Sequence, residues 1–185
     1  VKNNTTSHLV SDIEMIRERL SVDTWIVFGG SWGSTLSLIY AQAFPERASH
    51  IVLRGVFLMT KRELDWFYGG GAGQFWPDAW NRFIEKIPAD EHDDLIDAYN
   101  RRLFCGDLRV EMQFGRIWSS WENALASIFS NGNGVESSSE YARTFARLEN
   151  HYFKNNGFLD FDGQILSKME RIANIPGFVV QGRYD

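Results

Sequence analysis

Hydrophobic positions along the chain change period several times, and each change predicts an element. Leu9, Ile13, Ile16 and Leu20 follow Thr5 and Thr6 at helical spacing, which predicts an amphipathic helix entered from a threonine. Trp25-Ile26-Val27-Phe28 shows no polar alternation and runs into glycines. A short apolar run of this kind predicts a strand buried on both faces. From Gly33 the period is helical again, with Leu36, Ile39, Tyr40 and Ala43 on one face. Pro45 stops that helix, because the residue before a proline avoids helical backbone. Ile51-Val52-Leu53 predicts a second buried strand. Helix, strand, helix, strand in this order implies parallel pairing and an α/β fold.

After Gly55 the pattern turns helical and aromatic, with no convincing strand until the end. Pro77 opens a helix carrying Trp80, Phe83, Ile84 and Ile87, closed by Pro88. Leu95, Tyr99 and Leu103 mark the next. A long stripe of Val110, Phe114, Ile117, Trp121, Leu125 and Ile128 marks another. Ser130 to Gly134 reads as a turn. Tyr141, Phe145, Leu148 and Tyr152 share a further helix face, with Gly157 as its expected cap. Ile165, Met169 and Ile172 give a short helix ended by Pro176, and Phe178-Val179-Val180 returns to strand. Gly69 to Gly73 has neither a preceding strand nor a lysine at phosphate-loop spacing, so it reads as an open, mobile loop. The expected organisation is a mostly parallel α/β core over residues 1–57 and 164–185, interrupted by a helical cap over 58–163. Inserted between two strands, such a cap is expected to lie as a lid over the strands' carboxyl ends, where open α/β sheets bind ligands.

Composition narrows the function classes. The net charge is −5 and the 19 Lys and Arg form no tract, which sets a nucleic-acid groove aside. No apolar run approaches the length of a membrane span. Cys105 is the only cysteine, so no internal disulfide forms, and a reducing, cytoplasmic setting is the expectation. No His-Glu-x-x-His or similar metal-ligand spacing occurs, and neither a metal nor another cofactor is expected. Seven Trp and 14 Phe suit a packed core, with some left to line a pocket.

The most informative chemistry is Gly29-x-Ser31-x-Gly33, set between an apolar strand and a helix. A sharp strand-to-helix turn strains the serine backbone and exposes its hydroxyl, and the flanking positions must be small to avoid clashes. The new helix then supplies backbone N–H groups; that of Trp32, just after the serine, is placed to stabilise an oxyanion. A purely structural glycine turn at a strand end is the alternative. Glu122 and Glu149 border the apolar stripes of two helices, and spacing alone makes them ordinary solvated border residues. Asp185 alone is a turn aspartate.

Gly29-Gly30-Ser31-Trp32-Gly33-Ser34-Thr35-Leu36, Tyr40-Ala41-Gln42, Pro45-Glu46-Arg47 and Leu53-Arg54-Gly55 resemble the proline iminopeptidase family of α/β-hydrolases. Trp66-Phe67-Tyr68, Phe75 to Trp80, Trp121-Glu122, Ala146 to Phe153 and Gly182-Arg183-Tyr184-Asp185 extend the resemblance over nearly the whole chain. It implies a serine hydrolase that releases N-terminal proline from peptides, with Ser31 as nucleophile and Asp185 as the triad acid. It implies that Glu122 and Glu149 bind the free amino end, and that Phe57, Phe67 and Tyr68 line the proline pocket. An exopeptidase must tell an α-ammonium from a peptide N–H, and two carboxylates in a dry pocket do so, because an uncharged group leaves them unpaired.

Two family features have no counterpart here. The His-Gly-Gly-Pro-Gly segment that precedes the nucleophile does not occur before Ser31, and no histidine follows Asp185. Of His8, His50, His92 and His151, none fits the Ser–Asp–His chain order, and no catalytic histidine is assigned. The sequence is therefore expected to be the middle of a longer enzyme, inactive and poorly folded alone. An esterase or amidase on the same scaffold, or a noncatalytic binding protein, remain the alternatives. Oligomeric state is unassigned.

Overall fold

A computed structural model describes residues 3–126 and 138–183. Ile128, the expected Ser130–Gly134 turn and Asp185 lie outside the described residues. The chain forms two compact units: residues up to Glu63 with those from Asn156 onward, and Leu64–Asn155. The core thus takes in more of the chain than the expected boundaries at 57/58 and 163/164. Residues 58–63 are tied back locally, since the Leu58 and Thr60 N–H groups both donate to Glu63 and the Lys61 N–H donates to Asp162.

The first unit runs α1 (Thr6–Arg19), β1 (Trp25–Ser31), α2 (Trp32–Ala43) and β2 (Ala48–Val56), and returns with α8 (Gln164–Ser167) and β3 (Gly177–Val180). The strands form a parallel sheet in the order β1-β2-β3. One face carries the core: Val27, Ile51 and Leu53 pack with Leu38 and Ala41 of α2 and with Ile165 and Ile172. Each large aliphatic buried here contributes about 1.5–3 kcal/mol. Gly29 lets α2 approach, since a Cβ there would stand 2.0 Å from the Gly33 carbonyl oxygen. Gly33 itself faces open space, so the expected need for small flanking residues holds on the strand side of Ser31 only.

The expectation of strands buried on both faces is corrected. In register, Ile26 stands beside His50, and Phe28 beside Val52 and Phe178. On that face Ile26, Phe28, Phe178 and Val180 are exposed among the described residues. The helix stripes shift too. On α1, Ile16 and Leu20 are exposed, and Val10 and Arg17 are buried, Arg17 paired with Glu14. On α2 Tyr40 of the predicted stripe is buried and Ile39 packs against the core, but the buried residues also include Ser34, Thr35, Ser37, Leu38, Ala41 and Gln42, and Ala43 is left in solvent.

The second unit holds the end of α3 (Lys61–Tyr68), α4 (Pro77–Ile84), α5 (Leu95–Leu103), α6 (Leu108–Leu125) and α7 (Ser139–Lys154). Asp94, Asp107 and Ser138 cap α5, α6 and α7 through their side chains. The core is aromatic. Phe83 stacks on Tyr99 with centroids 4.5 Å apart, and Trp118 and Trp121 close around them. Leu95, Tyr99 and Leu103 are buried as expected. On α6 the buried line is Glu111, Phe114, Gly115, Trp118 and Trp121, one step round from the predicted stripe. On α7 it is Ala142, Ala146, Asn150, Tyr152 and Phe153; of the predicted stripe Tyr152 is buried, whereas Tyr141 and Leu148 are exposed. The cause is a close helix crossing: a Cβ at Gly115 would stand 2.7 Å from the Arg143 Cα, so small residues face each other there. The glycine loop is corrected as well. Gly73 is buried, and Cβ atoms at Gly71 and Gly73 would meet the Trp66 and Trp80 rings at 2.5 and 2.6 Å. Its glycines make room for indoles packed against the backbone.

Candidate active site

Each unit carries one set of candidate residues. In the first, β1 ends at Ser31 and α2 begins at the next residue. Ser31 has φ 53° and ψ −127°, a conformation that costs a non-glycine residue about 1–3 kcal/mol and persists only where its surroundings hold it. The restraint is visible. The Ser34 hydroxyl donates to the Ser31 carbonyl at 2.6 Å, and the Phe57 N–H donates to the Ser34 oxygen at 2.9 Å. Thr35 donates to the Phe57 carbonyl at 2.5 Å. Ser34 and Thr35 are fully buried, so the first turn of α2 is pinned to the segment after β2. Ser31 itself is exposed. Trp32 takes the first position of α2, where a backbone N–H lies outside the helix's own ladder. Phe57 is buried, and its backbone does this pinning. The signal for Ser34 and Thr35 was in the sequence, as hydroxyls on the inward side of an otherwise apolar helix.

Gly30 matters for a different reason. A Cβ there would stand 2.7 Å from a guanidinium nitrogen of Arg54, which pairs with Gly30 across the sheet, so a cation lies beside the serine turn. His50 pairs with Ile26, whereas Ser31 pairs with Val56. Five residues of strand, roughly 16 Å, separate those levels, which puts His50 at the opposite end of the sheet. His8 sits in the first turn of α1, bonded to the Thr5 hydroxyl at 2.7 Å. β3 runs parallel to β1, so the chain leaves Val180 toward the sheet edge that holds Ser31.

The second unit brings Glu122, Glu149 and Tyr68 together. The Tyr68 hydroxyl donates to Glu122. Trp118 Nε1 donates to Glu149 at 2.7 Å. The Tyr68 and Trp118 rings stack at 4.7 Å with planes 18° apart. Tyr68 is 4% exposed and Trp118 fully buried. Both glutamates are half-buried as residues, but their carboxyl ends are desolvated. Burial raises both carboxyls above the ordinary glutamate range. The negative charge of Glu122 raises Glu149 further, and the Tyr68 and Trp118 bonds oppose the rise only in part. Burial, then the two carboxylates, hold the Tyr68 phenol well above its usual value, so it stays a donor. No arginine or lysine forms an ion pair with either carboxylate among the described residues. Two desolvated carboxyls served only by neutral donors favour a shared proton or a cation from outside.

Phe67 lies beside this cluster, half-buried, with its ring 6.5 Å from that of Tyr68 and its carbonyl accepting from Trp121 Nε1 at 3.1 Å. Tyr68, expected as a pocket wall, has its ring in the aromatic core and offers its hydroxyl to Glu122. Periodicity missed Trp118, which stands one turn before Glu122 on α6 and is the other half of the arrangement. No group of three or more His, Cys, Asp or Glu able to hold a metal occurs among the described residues. No helix among them is long and apolar enough to cross a membrane.

A sequence profile of the alpha/beta hydrolase fold matches residues 2–185. The proline iminopeptidase of Xylella fastidiosa (strain Temecula1 / ATCC 700964) is 48% identical over 185 residues, covering 99% of this chain and 59% of its own length. The proline iminopeptidase of Arabidopsis thaliana is 45% identical over 188 residues, covering all of this chain and 50% of its own. That of Neisseria gonorrhoeae is 44% identical over 185 residues, with 59% of its length covered. The chain thus spans half to three fifths of the relatives it matches.

Proposed function

The chain belongs to the alpha/beta hydrolase fold family, and from that premise we propose that the protein containing it is a serine exopeptidase that releases N-terminal proline from peptides through an acyl-enzyme. The observation that carries the peptidase reading is the acidic pair: two desolvated carboxyls with neutral donors and, among the described residues, no cationic partner suit a substrate's free ammonium group. Ser31, strained and exposed at the β1–α2 turn, is the nucleophile. Its Oγ attacks the carbonyl carbon of the first residue, and its proton passes to a histidine base. The Trp32 N–H stabilises the oxyanion, and the tetrahedral intermediate collapses to the acyl-enzyme as the proton returns to the leaving amine. Water then releases proline. Asp185, after β3, is the acid that orients the base. His50 stands at the opposite end of the sheet and His8 on α1, and none of the four histidines is assigned as the base. Phe57, Phe67 and Tyr68 remain the candidates for lining the proline pocket. The names of the relatives support this reading, which needs no cofactor, nucleic acid or membrane.

The test uses the full-length protein with three substrates: a proline arylamide with a free amino group, its N-acylated form, and a simple ester. Cleavage confined to the first, lost on Ser31→Ala, is expected; the loss should reach at least about a thousandfold, the scale seen when a triad serine is removed. Equal turnover of free and acylated proline would sink the aminopeptidase reading. Preference for the ester would make the protein an esterase on this scaffold.

A further inference from the structure

We propose that Tyr68 and Trp118 are positioning residues for the acidic pair, two stacked rings that each hold one carboxylate where a substrate ammonium meets it. This rests on the reading that Glu122 and Glu149 receive an amino terminus. The contrast within the same aromatic core carries the proposal. Tyr99 donates its hydroxyl to the Phe83 carbonyl at 2.6 Å, and Trp121 its Nε1 to the Phe67 carbonyl at 3.1 Å. Those donors satisfy backbone, as buried polar groups in a core ordinarily do. Tyr68 and Trp118 aim theirs at side-chain carboxylates instead. Their rings stack with centroids 4.7 Å apart, and Tyr68 is held further by Phe83 and Phe153. The stack therefore fixes the two donors relative to each other, and through them the two glutamates.

The arrangement has a chemical consequence. A carboxylate tied by one neutral N–H or O–H keeps acceptor sites and is not neutralised, whereas a guanidinium partner also balances its charge. A long glutamate side chain left free would sample several rotamers and lose entropy on meeting the ligand. The neutral donor removes that cost without neutralising the charge. The charged and titratable groups acting on this cluster are Glu122 on Tyr68 and Glu149, and Glu149 on Tyr68.

Tyr68→Phe in the full-length protein keeps the stack and removes only the hydroxyl. It should raise KM for a free-amino proline arylamide about tenfold, the lower end for a hydrogen bond to a charged group. The kcat should stay within about threefold. The acidic limb of the kcat/KM profile should move to higher pH, because Glu122 loses the donor that favours its ionised form. In a Glu122→Gln background the same substitution should add little, since residues acting through one another are not additive. Unfolding curves for each variant establish that the fold is intact. An unmoved KM and pH profile in folded Tyr68→Phe, or full additivity with Glu122→Gln, would overturn the positioning role. Should Glu122→Gln itself leave KM unchanged, the ammonium reading fails, whatever Tyr68 does.

Discussion

Helices α6 and α7 carry two buried acidic sites, and these are solved in opposite ways. Toward the start of α6, Glu111 has a side chain only 4% exposed and meets Arg143 and Arg147 of α7, while accepting from the Gly106 N–H at 3.0 Å. Burial alone would raise its carboxyl; the Gly106 N–H and the two arginines outweigh it, and the net shift is downward. Further along α6, Glu122, with Glu149 of α7, receives a phenol and an indole and, among the described residues, no guanidinium. Their carboxyls are shifted upward. The helix pair neutralises a buried glutamate at Glu111 and, among the described residues, not at Glu122 or Glu149. Glu111 joins the helices. Among the described residues the other pair has no cationic partner, which suits a site that takes a proton or a cation from outside.

Substituting the two sites should give effects of opposite kind. In the full-length protein, Glu122→Gln or Glu149→Gln should cost about 1.5–3 kcal/mol in kcat/KM on a free-amino proline arylamide, the scale of a charged hydrogen bond. The folded state should be as stable as before or more so, because a desolvated carboxylate is replaced by a neutral amide that still accepts from Tyr68 or Trp118. Glu111→Gln should do the reverse: activity per folded molecule holds, and unfolding becomes easier by about 1–2 kcal/mol. That figure sits below the usual cost of breaking a buried pair because Arg143 and Arg147 are 27% and 29% exposed and water partly replaces their partner. A Glu111 variant that loses activity while keeping its stability would remove the distinction between the sites.

The same contrast predicts two pH slopes. For Glu122 and Glu149 the folded value lies above the unfolded one. Their contribution to stability is therefore complete below the ordinary glutamate value near 4.3 and is lost as pH rises through the raised folded value. For Glu111 the folded value lies below the unfolded one, so its contribution is present above about 4.3 and is lost as pH falls through the lowered value. Thermal unfolding from acid to neutral pH should show Glu149→Gln flattening the loss on the neutral side. Glu111→Gln should flatten the loss on the acid side. Identical flattening by both would mean that the two sites share one electrostatic environment.

Much of this was legible in the sequence where local rules govern. The β1–α2 turn needed only an apolar run, glycines and a helix pattern, and the three strands fell where apolar runs predicted them. What was not legible depends on neighbours. The offset on α6 and α7 follows from Gly115 and the alanines letting two helices approach closely, which no periodicity along a single helix records. The Glu122 carboxyl reads as solvated until α3 brings Tyr68 to it, and Glu149 until Trp118 is seen to face it. The glycine loop read as open because the indoles of Trp66 and Trp80 are distant in pattern but adjacent in space.

The smallest effect tests that offset directly. The apolar stripe on α7 predicts Leu148 as core, and the structure leaves it 49% exposed, with Ala146 fully buried two residues earlier. Leu148→Gln should change the stability of this chain by no more than about 0.5 kcal/mol, as surface substitutions usually do. Ala146→Leu puts three carbons at a fully buried position one turn from Ala142, and overpacking of that kind costs about 1–3 kcal/mol. Both can be measured by urea unfolding of the full-length protein. If the stripe were the buried face, the order would invert: Leu148→Gln would cost several kcal/mol and Ala146→Leu almost nothing. The sign of that difference decides which face of α7 meets α6, and so whether Glu149, three residues on from Ala146 and on the same side, is held against Trp118.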